Sequence, residues 1–351
     1  MSYELIIEPT GQSVEIEDGQ TVLDAALRAG IYLPHVCGHG LCSHCKVDVL
    51  EGEVDHGAAS PFALMEFERE EGKALACCCT AQSDIVIEAD IDEDPDALCI
   101  PVRDFSGRVE KLDDLTHDIK GVTIVLEGEG MAFQPGQYIN LTLPGIDGAR
   151  AYSIANVPSK PNRIELHIRK VEGGQASSFV HDQLKEGDEV SLAGPFGQFF
   201  VRKSAEEPMI FLAGGSGLSS PKSMILDLLE EGCTKPITLF HGVRGENDIY
   251  DHDLFEGLAA EHDNFEYIPV LSEPNGSGWD GETGFVHEAL QRRFDGHFAG
   301  HKAYLCGPPP MIEACVTALM QGRLFERDIY AERFLSKADG EASKSPLFKK
   351  I

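Results

Sequence analysis

The sequence predicts a multidomain chain of α+β and α/β class: a β-grasp unit, then an antiparallel β-barrel, then a doubly wound parallel sheet. Three observations carry this. Two alternating stretches and a helix lead into a loop rich in Cys and Gly. About a hundred residues of short β-type runs broken by Gly and Pro follow. After about residue 205 the rhythm changes to strand then helix. A length of 351 residues allows two or three domains, each able to bury a core.

In the first part, residues 4–8 and 13–17 alternate apolar and polar around Pro9-Thr10-Gly11-Gln12 and predict a hairpin. Thr21 is placed to cap a helix with Asp24 closing a capping box. Leu23, Ala26 and Leu27 supply its apolar face, and Gly30 its stop. Residues 84–89 read as the closing strand, and the acidic, Pro-containing stretch 90–96 as a linker. In the second part the runs 121–126, 138–143, 163–169 and 189–192 have the spacing of an antiparallel barrel. In the third, 209–213 reads as a buried strand and 221–231 as a helix with Pro221 in its first turn and Gly232 beyond its end. The units 237–240, 254–260, 266–271 and 302–306 continue the alternation. The predicted domains are 1–95, 100–202 and 205–335, with a tail at 336–351.

The formal net charge is -30, which argues against nucleic acid or an anionic membrane as a partner and favours a neutral or basic protein. Residues 1–95 hold 20 Asp and Glu against 4 Lys and Arg, so the first part is the expected acidic docking module. The N-terminus does not read as a signal peptide, and no apolar run approaches a membrane span, so a soluble cytoplasmic protein is expected. In a reducing compartment the ten cysteines read as cluster ligands, reactive thiols or small core residues rather than disulfides.

Cys37, Cys42 and Cys45 stand at C-x4-C-x2-C, the spacing of plant-type 2Fe-2S ferredoxins. Gly38 and Gly40 let the backbone wrap closely and aim amides at cluster sulfurs. The fourth thiolate is one of Cys77, Cys78 or Cys79; Leu75-Ala76-Cys77 followed by Ser83-Asp84 resembles the ferredoxin pattern best at Cys77. Cys42-x2-Cys45 would also suit zinc, but the C-x4-C step and the β-grasp setting disfavour it. A Rieske centre lacks its second His-bearing pair.

Phe133-Gln134-Pro135-Gly136-Gln137-Tyr138, followed by Arg150-Ala151-Tyr152-Ser153, resembles the ferredoxin-NADP reductase superfamily. The resemblance implies that Arg150 holds the FAD pyrophosphate, Tyr152 stacks on the isoalloxazine and Ser153 bonds its N5 edge. His167-Ile168-Arg169 and the turn at Gly173-Gly174 before Ser177 occupy that superfamily's second flavin segment, with Gly174 and Ser177 as pyrophosphate contacts. Gly214-Gly215-Ser216-Gly217, between a buried strand and a helix, reads as the dinucleotide pyrophosphate turn, with Ser220 where a third Gly would stand. Cys306-Gly307-Pro308 resembles the nicotinamide-proximal loop, with Cys306 near hydride transfer. Glu332-Arg333-Phe334 matches the position of an aromatic near the flavin. The loop at 241–248 offers Arg244 against Glu246 and Asp248; the acids lean to NADH, whereas Arg244 could accept a 2′-phosphate.

A nicotinamide gives electrons as a pair and a 2Fe-2S cluster takes one at a time, so a flavin between them explains why one chain carries three sites. No constellation for oxygen activation is present, and substrate oxidation must fall to another protein. The order of parts, with stretches such as Ala59-Ser60-Pro61-Phe62, looks most similar to reductase components of multicomponent phenol hydroxylases. That implies NADH as donor and a diiron oxygenase (hydroxylase) component as acceptor. Reductases of ring-hydroxylating dioxygenases and of methane or toluene monooxygenases share these parts, and a non-catalytic redox-sensing 2Fe-2S module is the reading from another class.

Overall fold

The computed structural model describes residues 2–35, 38–91, 94–274 and 278–334. Cys37 and the expected tail lie outside them. Contacts divide the chain into two compact units, residues 1–104 with 193–197, and residues 105–192 with 198–351. Among the described residues no helix is long and apolar enough to cross a membrane.

In the first unit β1 (Ser2–Glu8) and β2 (Gln12–Glu17) form the expected hairpin. Then come α1 (Val22–Arg28), β3 (Lys46–Glu51), β4 (Val54–Asp55), α2 (Glu66–Glu70), β5 (Lys73–Leu75), β6 (Thr80–Ala81) and β7 (Ile85–Glu88). The sheet order is β2-β1-β7-β3-β5, with β7 parallel to β1 and antiparallel to β3, so the last strand is inserted at the centre. The α1 face of Val22, Leu23, Ala26 and Leu27 is buried against Leu5, Ile7, Ile16 and Ile87 of this sheet's core. Burial of that face, about 1.5–3 kcal/mol per large side chain, holds so short a helix in place.

Only half of the expected capping box forms. Thr21 Oγ1 accepts from the Asp24 amide at 3.2 Å, but the Asp24 carboxylate takes Gln20 Nε2 at 2.7 Å and Arg28 Nε at 3.0 Å. A nearby cation and amide compete better for the carboxylate than the cap's own N–H.

In the second part of the chain β8 (Arg103–Asp114), β9 (Ile119–Leu126), β10 (Tyr138–Thr142), β11 (Arg150–Ser153), β12 (Arg163–Arg169) and β13 (Glu189–Phe196) form the sheet β11-β10-β13-β8-β9-β12, with α3 (Gln175–Asp182) between β12 and β13. An antiparallel bridge between Ile154 and Leu166 nearly closes the barrel. Neither β8, mostly charged and exposed, nor β11, four residues long, shows as a strand in the sequence.

Next follow β14 (Met209–Gly214), α4 (Ser219–Glu230), β15 (Ile237–Val243), α5 (His252–Glu261), β16 (Phe265–Leu271), β17 (Glu282–Thr283), α6 (Val286–Arg293), β18 (Lys302–Gly307), α7 (Pro309–Gln321) and β19 (Ile329–Arg333). The sheet β17-β16-β15-β14-β18-β19 is parallel throughout. All six residues of β14 are buried, as a strand covered on both faces requires. Strand order reverses between β14 and β18, and open α/β sheets bind ligands in the crevice at that point.

Candidate functional site

In the first unit the cysteine loop is tied down by backbone. The Ser60 amide donates to Gly40 O at 3.0 Å, and Ser43 Oγ to Ala63 O at 2.8 Å. Gly40 has φ +72, and a Cβ there would stand 2.6 Å from Cys78 Sγ, so only glycine fits against the second cysteine run. Cys42 and Cys78 are half-buried, Cys45, Cys77 and Cys79 buried. Cys77 Sγ lies 3.7 Å from Cys78 Sγ. The Cys77 thiol is pushed far above its ordinary value, first by its hydrogen bond with Cys45, then by burial and by Cys78. Burial, with Cys45 and Cys78, pushes Cys79 up to about 12. Buried thiols that repel one another on ionisation suit a metal centre, whose positive charge removes the penalty. The residues therefore fit a 2Fe-2S cluster.

The second unit brings four motifs onto one carboxylate. Glu332 Oε2, on β19, accepts from Ser153 Oγ of β11 at 3.2 Å and from Ser220 Oγ of α4 at 3.1 Å; Cys306 Sγ of β18 lies 3.6 Å away. Burial pushes the Glu332 carboxyl up to about 6 against the pull of Ser220, Ser153 and Cys306. Burial and the same carboxylate hold the Cys306 thiol well above its ordinary value, so it stays a neutral donor. Nothing in the sequence singles out Glu332, which stands two residues before Phe334. A single acid in a short strand carries no signal until the other three motifs surround it. The Phe334 amide donates to Gly307 O at 3.1 Å, and its ring packs against the core of the parallel sheet.

The dinucleotide turn and the Cys306 loop are packed together. A Cβ at Gly217 would meet Cys306 O at 2.3 Å, and one at Gly214 would meet Met311 Sδ at 2.5 Å. Gly215 has φ +54 and nothing within 4 Å of where a Cβ would stand. Ser216 and Gly217 are buried, and Pro308 caps α7. Two glycine turns at the strand-order reversal fit a dinucleotide.

On the barrel, Arg150 Nη1 donates to the carbonyls of Asp147, Gly148 and Ala149 at 3.0–3.2 Å, fixing the loop before β11. Burial raises the Tyr152 phenol to about 12. Ile168 is in the barrel core and Arg169 Nε donates to Asp118 at 2.8 Å. Ser177 Oγ accepts from the Val171 amide at 3.1 Å and donates to Gly174 O at 3.3 Å, closing the turn that opens α3. A cation, an aromatic ring, a buried hydroxyl and a helix N-terminus on one barrel fit a flavin dinucleotide. His167 is enclosed, with Nε2 3.0 Å from Glu165 Oε1 and Nδ1 3.3 Å from the Tyr250 hydroxyl. Arg244 is exposed, 4.0 Å from Asp118.

Residues 5–82 match the 2Fe-2S iron-sulfur cluster binding domain, 106–201 the oxidoreductase FAD-binding domain and 211–317 the oxidoreductase NAD-binding domain. Together with the fold they define an iron-sulfur flavoprotein oxidoreductase that carries FAD and a 2Fe-2S cluster and uses NADH. Over the full length of both chains the sequence is 61% identical to the phenol 2-monooxygenase reductase component of Pseudomonas sp. (strain CF600). It is 56% identical, again over both full lengths, to the phenol hydroxylase P5 protein of Acinetobacter pittii (strain PHEA-2). The chain belongs to this family of reductase components. The crystal structure of the Amycolatopsis reductase GcoB superposes with a TM-score of 0.87 at 35% identity, covering 95% of this chain and 98% of that one. These relatives do not favour the dioxygenase, methane or toluene monooxygenase, or redox-sensing readings.

Proposed function

We propose that this chain takes electrons from NADH and delivers them singly to a separate phenol hydroxylase, a diiron oxygenase. The observation that carries the reading is the convergence of Ser153, Ser220 and Cys306 on Glu332, which joins the flavin, dinucleotide and C-terminal motifs in one pocket. FAD, when bound, supplies the conversion of a hydride pair into single electrons. Arg150, Gly174 and Ser177 would hold its pyrophosphate, Tyr152 would cover its ring, and His167, Ile168 and Arg169 would shape the second flavin segment. Gly214, Gly215, Ser216 and Gly217 would receive the NADH pyrophosphate, Gly307 and Pro308 would bound the nicotinamide side, and Phe334 would lie near the flavin. Ser153 Oγ donates to Glu332 and would relay a proton between the bound flavin's N5 edge and that carboxyl, taking one up as it gives one, the carboxyl being raised by burial to about 6. Cys306 keeps that carboxylate oriented without ionising. Cys37, Cys42, Cys45 and Cys77 would hold the cluster, Cys77 being favoured by the ferredoxin-like pattern Leu75-Ala76-Cys77. The domains fall at 1–95, 100–202 and 205–335 with a tail at 336–351, and cysteines that read as cluster ligands rather than disulfides suit the cytoplasm.

Docking is assigned to the first unit. Phe62 is 89% and Leu41 63% exposed beside the cysteine loop, with Glu66 and Glu70 exposed on α2. An apolar centre with an acidic rim suits a partner of opposite charge, whose encounter salt would screen. The test is an anaerobic optical titration with limiting NADH, followed by reconstitution with purified phenol hydroxylase. Flavin and iron bands should both bleach and phenol should be hydroxylated, with coupling falling as salt rises. NADH-driven reduction of cytochrome c with no phenol hydroxylation would sink the assignment of the acceptor.

A further inference from the structure

A second set of buried polar groups in the second unit lies outside the Glu332 pocket and ties the barrel to the parallel sheet. Lys222, in the first turn of α4, is 6% exposed, and its Nζ donates to Glu165 Oε1 of β12 and to Asp251 Oδ2, each at 2.8 Å. Burial pushes the Glu165 carboxyl up, yet the His167 hydrogen bond and the Lys222 charge outweigh it and hold the group well below the usual carboxylate range. Asp251 stands at the N-cap of α5 in the left-handed region, φ +53, which Asp tolerates better than most non-glycine residues. Tyr250, next to it, is 4% exposed, and its ring meets His167 and His241 edge-on at centroid distances of 5.2 and 5.3 Å.

The Tyr250 hydroxyl donates to Gly215 O at 3.1 Å, and its oxygen lies 3.3 Å from His167 Nδ1, which meets it as a donor where that nitrogen carries a proton. Gly215 lies in the dinucleotide turn. A peptide group is planar and trans, so its carbonyl and the following N–H point opposite ways. Pinning Gly215 O toward Tyr250 therefore turns the Ser216 amide to the other side of the turn.

We propose that Tyr250 is a positioning residue for NADH: braced by His167 and the Lys222–Glu165–Asp251 triplet, it fixes the Gly215 peptide so that the Ser216 amide faces the dinucleotide pyrophosphate. This rests on the reading of Gly214–Gly217 as the NADH turn. One chain of contacts thus runs from His167 of the flavin segment through Tyr250 to the nucleotide turn.

Tyr250→Phe removes the hydroxyl and keeps the ring. In the full-length protein loaded with FAD and cluster, the NADH dissociation constant is measured by anaerobic stopped flow and the amide hydrogen exchange of residues 214–218 by mass spectrometry. The variant should bind NADH about tenfold more weakly, the scale of one charge-assisted hydrogen bond, and lose protection in that turn while retaining FAD. Unchanged affinity and exchange, with wild type binding NADH normally, would overturn the proposal. Failure of wild type to bind NADH would instead overturn the reading of the turn. If Tyr250→Phe loses FAD, Asp251→Asn, which removes the charge that Lys222 meets beside Tyr250, is measured the same way: weaker NADH binding with Tyr250 in place supports the brace, and unchanged binding rejects it.

Discussion

Replacement of Gly217 by Ala tests whether the two glycine turns touch in the working enzyme. The added Cβ would stand 2.3 Å from Cys306 O, 2.7 Å from its carbonyl carbon and 2.9 Å from Gly307 Cα. All three are backbone atoms, so no rotamer change relieves the clash. Moving from 2.3 Å to the 3.4 Å at which ordinary contact begins requires the turns to part by about 1.1 Å. Overpacking of this kind costs about 1–3 kcal/mol, and a misplacement of about 1 Å at a reacting centre costs on the order of 100-fold in rate. The assay is anaerobic stopped-flow reduction of bound flavin by NADH, normalised to FAD content, beside thermal unfolding. Gly232→Ala serves as the control. With φ +76 and no atom within 4 Å of the new Cβ, it should lose about 1–2 kcal/mol of stability through backbone strain alone and keep its rate of flavin reduction. Wild-type flavin reduction in Gly217→Ala would refute the contact between the turns, and with it the crevice built from them.

Three further outcomes follow from the same geometry. Cys77→Ser should abolish the iron absorbance while Cys78→Ser and Cys79→Ser retain it; the reverse pattern moves the fourth ligand. Glu332 has a folded value of about 6 against 4.5 for the free side chain, so its contribution to stability is fully present below pH 4.5 and lost as pH rises through 6. The advantage of Glu332→Gln over wild type in thermal or urea unfolding should therefore grow by up to about 2 kcal/mol between pH 4.5 and 7, less where solvent screens the group; a gap independent of pH would count against the burial described. Asp118 accepts from Arg169 at 2.8 Å and lies 4.0 Å from Arg244. Asp118→Asn should free Arg244 for a 2′-phosphate and raise the NADPH to NADH ratio of kcat/KM by about tenfold, and an unchanged ratio would remove this pair from cofactor choice.

Much of the site was legible because its chemistry is written in short spacings. Cys42 and Cys45 with Cys37 constrain a loop by their separation alone, and Gly214–Gly217 lie between a wholly apolar strand and a helix with Pro221 in its first turn. The sequence misleads where a local group has two possible partners. Asp24 has the spacing of a capping box, but Gln20 and Arg28 take its carboxylate. The four residues of β11 carry too little alternation to declare a strand; pairing with Tyr138–Leu141 makes them one.

By itself the sequence determined the order of three parts, the donors available to each cofactor and the acidic character of the first part, since spacing, residue type and charge act locally or sum over the chain. Only the tertiary structure decided that Ser153 and Glu332, 179 residues apart, share a hydrogen bond, and that Lys222 is shut away between Glu165 and Asp251. A carboxylate or an ammonium in a sequence is most often solvated. Its value here comes from loss of water and from partners that packing alone brings within reach.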